Sequence, residues 1–240
     1  MNPKLLSLIF ISLGVSAAYQ VGSQPVPDDQ LLYQVSVKDL SYSHKCAGSI
    51  IRPKYVLTTA RCIKHDVPSN LQVFVGSIHL HYGGAIFRAV QLITHQYFDN
   101  STLADNVGLI KTVGSMLTAP KTRVVPLPND FTYPGEPCIF YSWNMSNGSP
   151  PFSATLRYVN KSVMSLADCQ SRWSVNIVTI QNLCTDYAAG GCTLGEGAPL
   201  VKNGSLVGMF SLGGTCVGGK PDVYVDIKSY VIWINSVATD

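Results

Sequence analysis

The chain has 240 residues, 46% of them apolar and 13% charged, which excludes a disordered protein and suits a compact one, built as one large β domain or two small ones around a cleft. The formal net charge is +3, and it falls by one when Lys4 leaves with the leader segment. A field this weak excludes a strong pull on nucleic acid or an anionic membrane.

In chain order, residues 5–15 read LLSLIFISLGV behind Lys4 and ahead of Ser16, Ala17 and Ala18. This is the pattern of a secretory signal peptide over residues 1–18, too short for the ~20 apolar residues of a membrane span. The mature chain, residues 19–240, is therefore expected outside the cell, where its seven cysteines read first as disulfides with at least one left over. Five Asn-x-Ser/Thr sequons, at Asn100, Asn144, Asn147, Asn160 and Asn203, agree with a secreted glycoprotein. Asn144 and Asn147 lie too close together for both to be expected to carry sugar.

Short apolar segments at 33–37, 49–58, 71–75, 85–93, 107–110, 138–141, 155–163, 206–211 and 223–227 alternate with turn residues, the pattern of an all-β sandwich or barrel. Residues 165–173 read as a helix with Ser165 as cap and Asp168 three positions later. Residues 227–237 read as a second helix, with Tyr230, Ile234 and Val237 on one face. The passage 119–130, with Pro120, Pro126 and Pro128, suits a crossing between halves of about 19–125 and 126–240, with one large sandwich as the alternative that the pattern leaves open. His79 and His81 share a strand face without a visible third ligand, so no metal is expected. No cofactor is expected either.

Cys46-Ala47-Gly48-Ser49-Ile50-Ile51 and Tyr55-Val56-Leu57-Thr58-Thr59-Ala60-Arg61-Cys62 are similar, without a gap, to the C-G-G-S-L-I and W-V-L-T-A-A-H-C segments of the trypsin-like serine proteases. Asp105-Asn106-Val107-Gly108-Leu109-Ile110-Lys111 resembles the family's N-D-I-x-L-I-K strand. Cys192-Thr193-Leu194-Gly195-Glu196-Gly197-Ala198-Pro199-Leu200-Val201 resembles C-x-G-D-S-G-G-P-L-V. The resemblance covers essentially the whole mature chain. It implies two six-stranded antiparallel barrels around a cleft, with a C-terminal helix. It also implies disulfides Cys46–Cys62, Cys169–Cys184 and Cys192–Cys216. Cys138 matches a half-cystine whose partner position is Lys202, so a buried free thiol is expected there.

Serine catalysis needs a hydroxyl nucleophile, an imidazole base and a carboxylate that orients the imidazole. The resemblance puts Glu196 at the nucleophile position and Arg61 at the imidazole position, and a guanidinium is no base at working pH. A gap-free alignment puts Asn106 at the carboxylate position; one extra strand residue would put Asp105 there. A Glu196–Arg61 ion pair is expected in the cleft, the alternative being two side chains that face solvent. Leu194 stands where an oxyanion-hole glycine belongs. Gly195 stands where the family's aspartate receives the freed N-terminal amine, and residues 19–23 offer no basic cleavage point. The specificity pocket would be floored by Gly190 and walled by Asp222, a carboxylate able to pair a basic side chain of a ligand or, alternatively, to block the pocket or pair with a neighbour such as Lys220. Ser211 and Gly213 match the edge that pairs with substrate backbone. The expected function is a secreted, catalytically inactive protease homologue that binds a protein or peptide partner, most simply as a monomer. The alternative is a hydrolase with displaced chemistry that uses Glu196 as acid or base.

Overall fold

The structure, a computed structural model, describes residues 23–239 apart from 29, 31, 144, 147–152, 187–191, 194 and 214–219. The signal-peptide reading, Gly190, Asn144, Asn147 and the Cys192–Cys216 pairing lie outside the described residues.

Six strands of the first half close into a barrel. They are β2 (Gln34–Lys38), β3 (His44–Arg52), β4 (Tyr55–Thr58), β5 (Gln72–Val75), β6 (Ala85–Thr94) and β7 (Gly108–Thr112), in the order β2-β3-β4-β7-β6-β5. Segment 49–58, read as one strand, is the end of β3, a turn at Pro53 and Lys54, and β4. Proline has no N–H to give a ladder, so the chain reverses there. Val35, Val37, Ile50, Val56, Val73 and Ile110 fill the barrel interior, and the Cys46–Cys62 disulfide ties β3 to the short helix α1 (Ala60–Ile63).

The second half is a sheet of seven strands in the order β1-β10-β8-β13-β14-β15-β11. These are β1 (Gln24–Pro25), β8 (Pro137–Ser142), β10 (Arg157–Ser162), β11 (Asn182–Thr185), β13 (Pro199–Lys202), β14 (Ser205–Leu212) and β15 (Asp222–Asp226). A bridge between Val163 and Thr185 brings β11 back to the end of β10, so six strands come round on themselves while β1 rides outside. Phe140, Leu200, Val207, Phe210 and Tyr224 form the core within. Two minor strands, β9 (Met145–Ser146) and β12 (Cys192–Thr193), pair with each other.

Helix α2 (Leu166–Arg172) starts at Ser165, whose hydroxyl accepts from the Asp168 N–H, and Cys169 within it is bonded to Cys184 of β11. The final helix, α3 (Val231–Val237), is shorter than 227–237: its first turn, Ile227–Tyr230, is 3-10 and is capped by Asp226. Tyr230 and Ile234 are buried on a third core, between the barrels, with Leu57, Leu109, Met209 and Val225. The crossing passage bonds to both halves at adjacent residues: the Val125 N–H donates to the Ile50 carbonyl, and the Pro126 carbonyl accepts from Leu206. Among the described residues no helix is long and apolar enough to cross a membrane.

Candidate functional site

The cleft is built where three segments meet. Thr59 and α1 present Arg61 from the first barrel, the turn before β7 presents Asn106, and the loop before β13 presents Glu196. Both Arg61 Nε, at 2.8 Å, and Arg61 Nη2 donate to Glu196 Oε2. Glu196 Oε1 accepts from the Thr59 hydroxyl at 2.6 Å and from Asn106 Nδ2 at 3.3 Å. Both oxygens of the carboxylate are therefore occupied, and the pair is partly sheltered, its side chains 35% and 19% exposed. Because the Thr59 hydroxyl faces Glu196, it does not cap α1, although Thr59 holds the cap position. The backbone N–H of Arg61 instead donates to Asn106 Oδ1 at 2.8 Å, satisfying one donor that a helix start leaves open.

Asn106, not Asp105, faces this cluster. Asp105 has a φ of 51°, and its carbonyl accepts from the Val107 N–H at 2.7 Å, a tight turn centred on Asn106 that ends before β7 begins. The separation of the two side chains thus comes from a turn rather than from strand alternation. Asp105 accepts from the Tyr230 hydroxyl at 2.9 Å and lies 3.7 Å from the His95 ring.

Ser211 is buried beside the cluster. Its carbonyl accepts from Arg61 Nη2 at 2.7 Å, and its hydroxyl bonds to Asn106 Nδ2 at 2.9 Å. The first acceptor of the would-be peptide-binding edge is thus turned onto the guanidinium. Gly213, further along, has no room for a side chain: an added Cβ would lie 2.5 Å from the Phe210 ring.

Of the two readings of Asp222, the structure has the carboxylate paired within the chain, with Lys161 rather than Lys220 as its partner. Asp222 is 2% exposed and pairs with Lys161 Nζ at 2.8 Å across the inside of the second barrel, because β10 and the start of β15 converge at the barrel seam. Lys220, its sequence neighbour, lies instead over the Trp173 ring, 4.3 Å from its centroid. Sequence reasoning missed Thr59, Ser211 as a partner of Asn106, and Lys161. The first two adjoin motif residues and were there to be found; nothing in the spacing marks Lys161.

Cys138 is buried and free, with its thiol pushed up to about 11, chiefly by burial. Lys202 turns away from it to Glu136 at 2.6 Å. Asn100, Asn160 and Asn203 are exposed. No three His, Cys, Asp or Glu side chains among the described residues are gathered as a metal site.

A family profile described as Trypsin matches residues 20–234. Trypsin-4 of Rattus norvegicus is 31% identical over 95% of this chain and 96% of its own length. Serine protease 1 of Homo sapiens is 30% identical over all of both chains. Among solved structures, that of neuropsin, titled a serine protease expressed in the limbic system of mouse brain, superposes with a TM-score of 0.82. At 24% identity it covers 90% of this chain and 99% of its own.

Proposed function

The chain belongs to the trypsin family of serine proteases, and from that premise we propose that it is a secreted, catalytically inactive member that acts as a protein-binding or regulatory module. The observation that carries this reading is the closed cluster of Arg61, Asn106, Thr59 and Glu196. No hydroxyl stands at the nucleophile position, no base accepts its proton, and the carboxylate that replaces it already has every oxygen engaged. Loss of a whole triad costs on the order of a million-fold in turnover, about 8 kcal/mol of barrier. The activation switch is lost alongside: Gly195 has no carboxylate to receive a freed amine.

Partner recognition through a basic side chain in the pocket loses its support, since Asp222 is committed to Lys161. The partner surface is then outside the old cleft, and binding does not need the cleft to open. The displaced-hydrolase reading needs a second acid within water-bridged reach of Glu196. Asp105, the candidate acid beside the cleft residue Asn106, is turned toward Tyr230 and His95.

The test is turnover by the purified secreted chain on broad peptide and ester libraries, beside Glu196→Ala. The expected result is no hydrolysis above a blank by either protein. Hydrolysis by the parent chain that disappears in Glu196→Ala overturns the reading and makes Glu196 the catalytic group.

A further inference from the structure

One outward face of the second barrel is not what a solvent-facing sheet normally shows. Alternation along β8 turns Cys138, Phe140 and Ser142 inward and Ile139 and Tyr141 outward. On β10 the register sets Tyr158 opposite Tyr141 and Asn160 opposite Ile139. The two tyrosine rings lie 6.1 Å apart, and Tyr33 stands edge-on to Tyr141 at 6.1 Å. The Arg123 guanidinium covers the Tyr33 ring at 5.1 Å. A solvated sheet face is expected to be polar; this one carries two half-exposed tyrosines whose inner sides pack toward core residues such as Trp143 and Leu156.

The face forms the floor of a groove. One hollow of about 510 Å³ is lined by Arg123, Ile139, Tyr141, Asn160 and Asn203, and a second of about 470 Å³ continues it past Ile139 and Tyr141 to Tyr158 and Gln30. Each is within the ~300–1,000 Å³ range of small-ligand sites. Two of the three described sequon asparagines, Asn160 and Asn203, stand on its wall. Asn160 lies within a paired strand, whereas Asn203 is exposed on the turn between β13 and β14 with a φ of 49°. Surface turns are where N-linked sugar is carried.

We propose that an N-linked glycan on Asn203 lies back along this groove, its first sugars stacked on Tyr141 and Tyr158. A pyranose ring presents an apolar C–H face that suits a tyrosine ring, while its hydroxyls have Arg123, Gln30 and Asn160 as hydrogen-bond partners. Covalent tethering holds the sugar at an effective concentration in the millimolar range, so a weak contact keeps the groove filled. In the transfer, Asn203 Nδ2 bonds to C1 of the first sugar of a lipid-pyrophosphate oligosaccharide. The C1–O bond to the pyrophosphate breaks, the lipid pyrophosphate leaves, and the amide gives up one proton. The glycan then seals the aromatic face against water and against protein partners.

The experiment uses the full chain made in glycosylating eukaryotic cells, with glycopeptide mapping and the rate of native-state release of the Asn203 glycan by an amidase. The expected results are occupancy at Asn203 and release at least tenfold faster from Tyr141→Ala and Tyr158→Ala than from the parent. Tyr141 packs against two core clusters and Tyr158 against one, so Tyr158→Ala is the milder cut, and either variant with a cooperative urea transition suffices for the comparison. Ser205→Ala, which removes the sequon and leaves Asn203, should lower Tm in parent protein and change it little in Tyr158→Ala. An unoccupied Asn203, sugar on Asn160 in its place, or release rates that ignore both tyrosine variants overturns the proposal.

Discussion

At Gly195 the backbone has a φ of 142°, and a Cβ built there would lie 2.4 Å from Ser142 Oγ. Only glycine adopts that conformation without strain. The loop has therefore settled into a shape that the family's aspartate could not share. Two residues on, Gly197 has a φ of 78° and a Cβ there would meet the Ala47 carbonyl at 2.2 Å, which explains why that glycine of the motif is kept. Restoring the family residue with Gly195→Asp is expected to destabilise the fold by about 2–3 kcal/mol, the size of one strained backbone position and its displaced neighbour. Urea unfolding checks this; an unchanged or raised midpoint would mean that the loop relaxes freely. Arg61, Asn106 and Glu196 were legible in the sequence because each sits at a matched position of a motif whose frame is intact, whereas the bond from Thr59 was not. What remained open was their geometry. Whether Glu196 met Arg61 or water depended on the loop conformation, and the choice between Asp105 and Asn106 depended on a tight turn that alternation does not describe.

Among the elements, the weakest joint of the second barrel is the seam between β10 and β11. Across it run the Val163–Thr185 bridge and backbone bonds such as Met164 N–H to the Cys184 carbonyl and Asp186 N–H to the Ser162 carbonyl. Lys161 and Asp222 lock this seam from inside, with side chains 1% and 2% exposed. Lys161 also donates to the Asp186 carbonyl at 3.2 Å. Taking the ammonium from a carboxylate so deeply buried costs about 3–5 kcal/mol, whereas replacing both charges by apolar groups of similar volume is often close to neutral. Lys161→Met should therefore lower stability by about that amount and Lys161→Met/Asp222→Leu should recover most of it. Hydrogen exchange should show the Met164 and Asp186 amides losing protection first in the single variant. Equal losses in the single and double variants would assign the effect to packing instead of charge. This seam was invisible in the sequence. β2 (QVSVK) announces itself by alternating apolar residues, and β6 and β8 (PCIFYS) by apolar runs, but β11 (NLCT) is too short to show a period, and β13 (PLVK) reads as the tail of a loop motif. A lysine one residue from the end of β10 likewise reads as solvated until the barrel closes around it.

Over the whole molecule, two titrating groups, the buried Asp226 and the half-buried His44, oppose each other. Burial pushes the Asp226 carboxyl up to about 6, against the pull of the Lys228 N–H, Ser229 and the Lys228 charge. In the unfolded chain the group returns to about 4, so between those values the folded state holds the extra proton. Its contribution to stability is complete below about pH 4 and is lost as pH rises through about 6. His44, bonded to the Ser36 hydroxyl and packed against Trp143, is pushed down to about 4, first by burial and then by the charges of Lys38 and His81. Its unfolded value is about 6.5, so in that interval it is the unfolded state that holds the extra proton. Its contribution is complete above about pH 6.5 and is lost as pH falls through about 4. Each term is on the order of 3 kcal/mol, and they slope in opposite directions over nearly the same window. The parent protein is therefore expected to show almost flat stability from about pH 4 to 6.5. Asp226→Asn keeps an oxygen to cap the 3-10 turn and should leave only the His44 slope, stability rising with pH. His44→Gln keeps a partner for Ser36 and should leave only the Asp226 slope, stability falling with pH. Urea midpoints taken across this range for the three proteins decide the matter. Parallel profiles in all three would show that neither group changes its proton binding on folding, whereas slopes of opposite sign would show that the flat profile is a cancellation between the two barrels, His44 reporting on the first and Asp226 on the second.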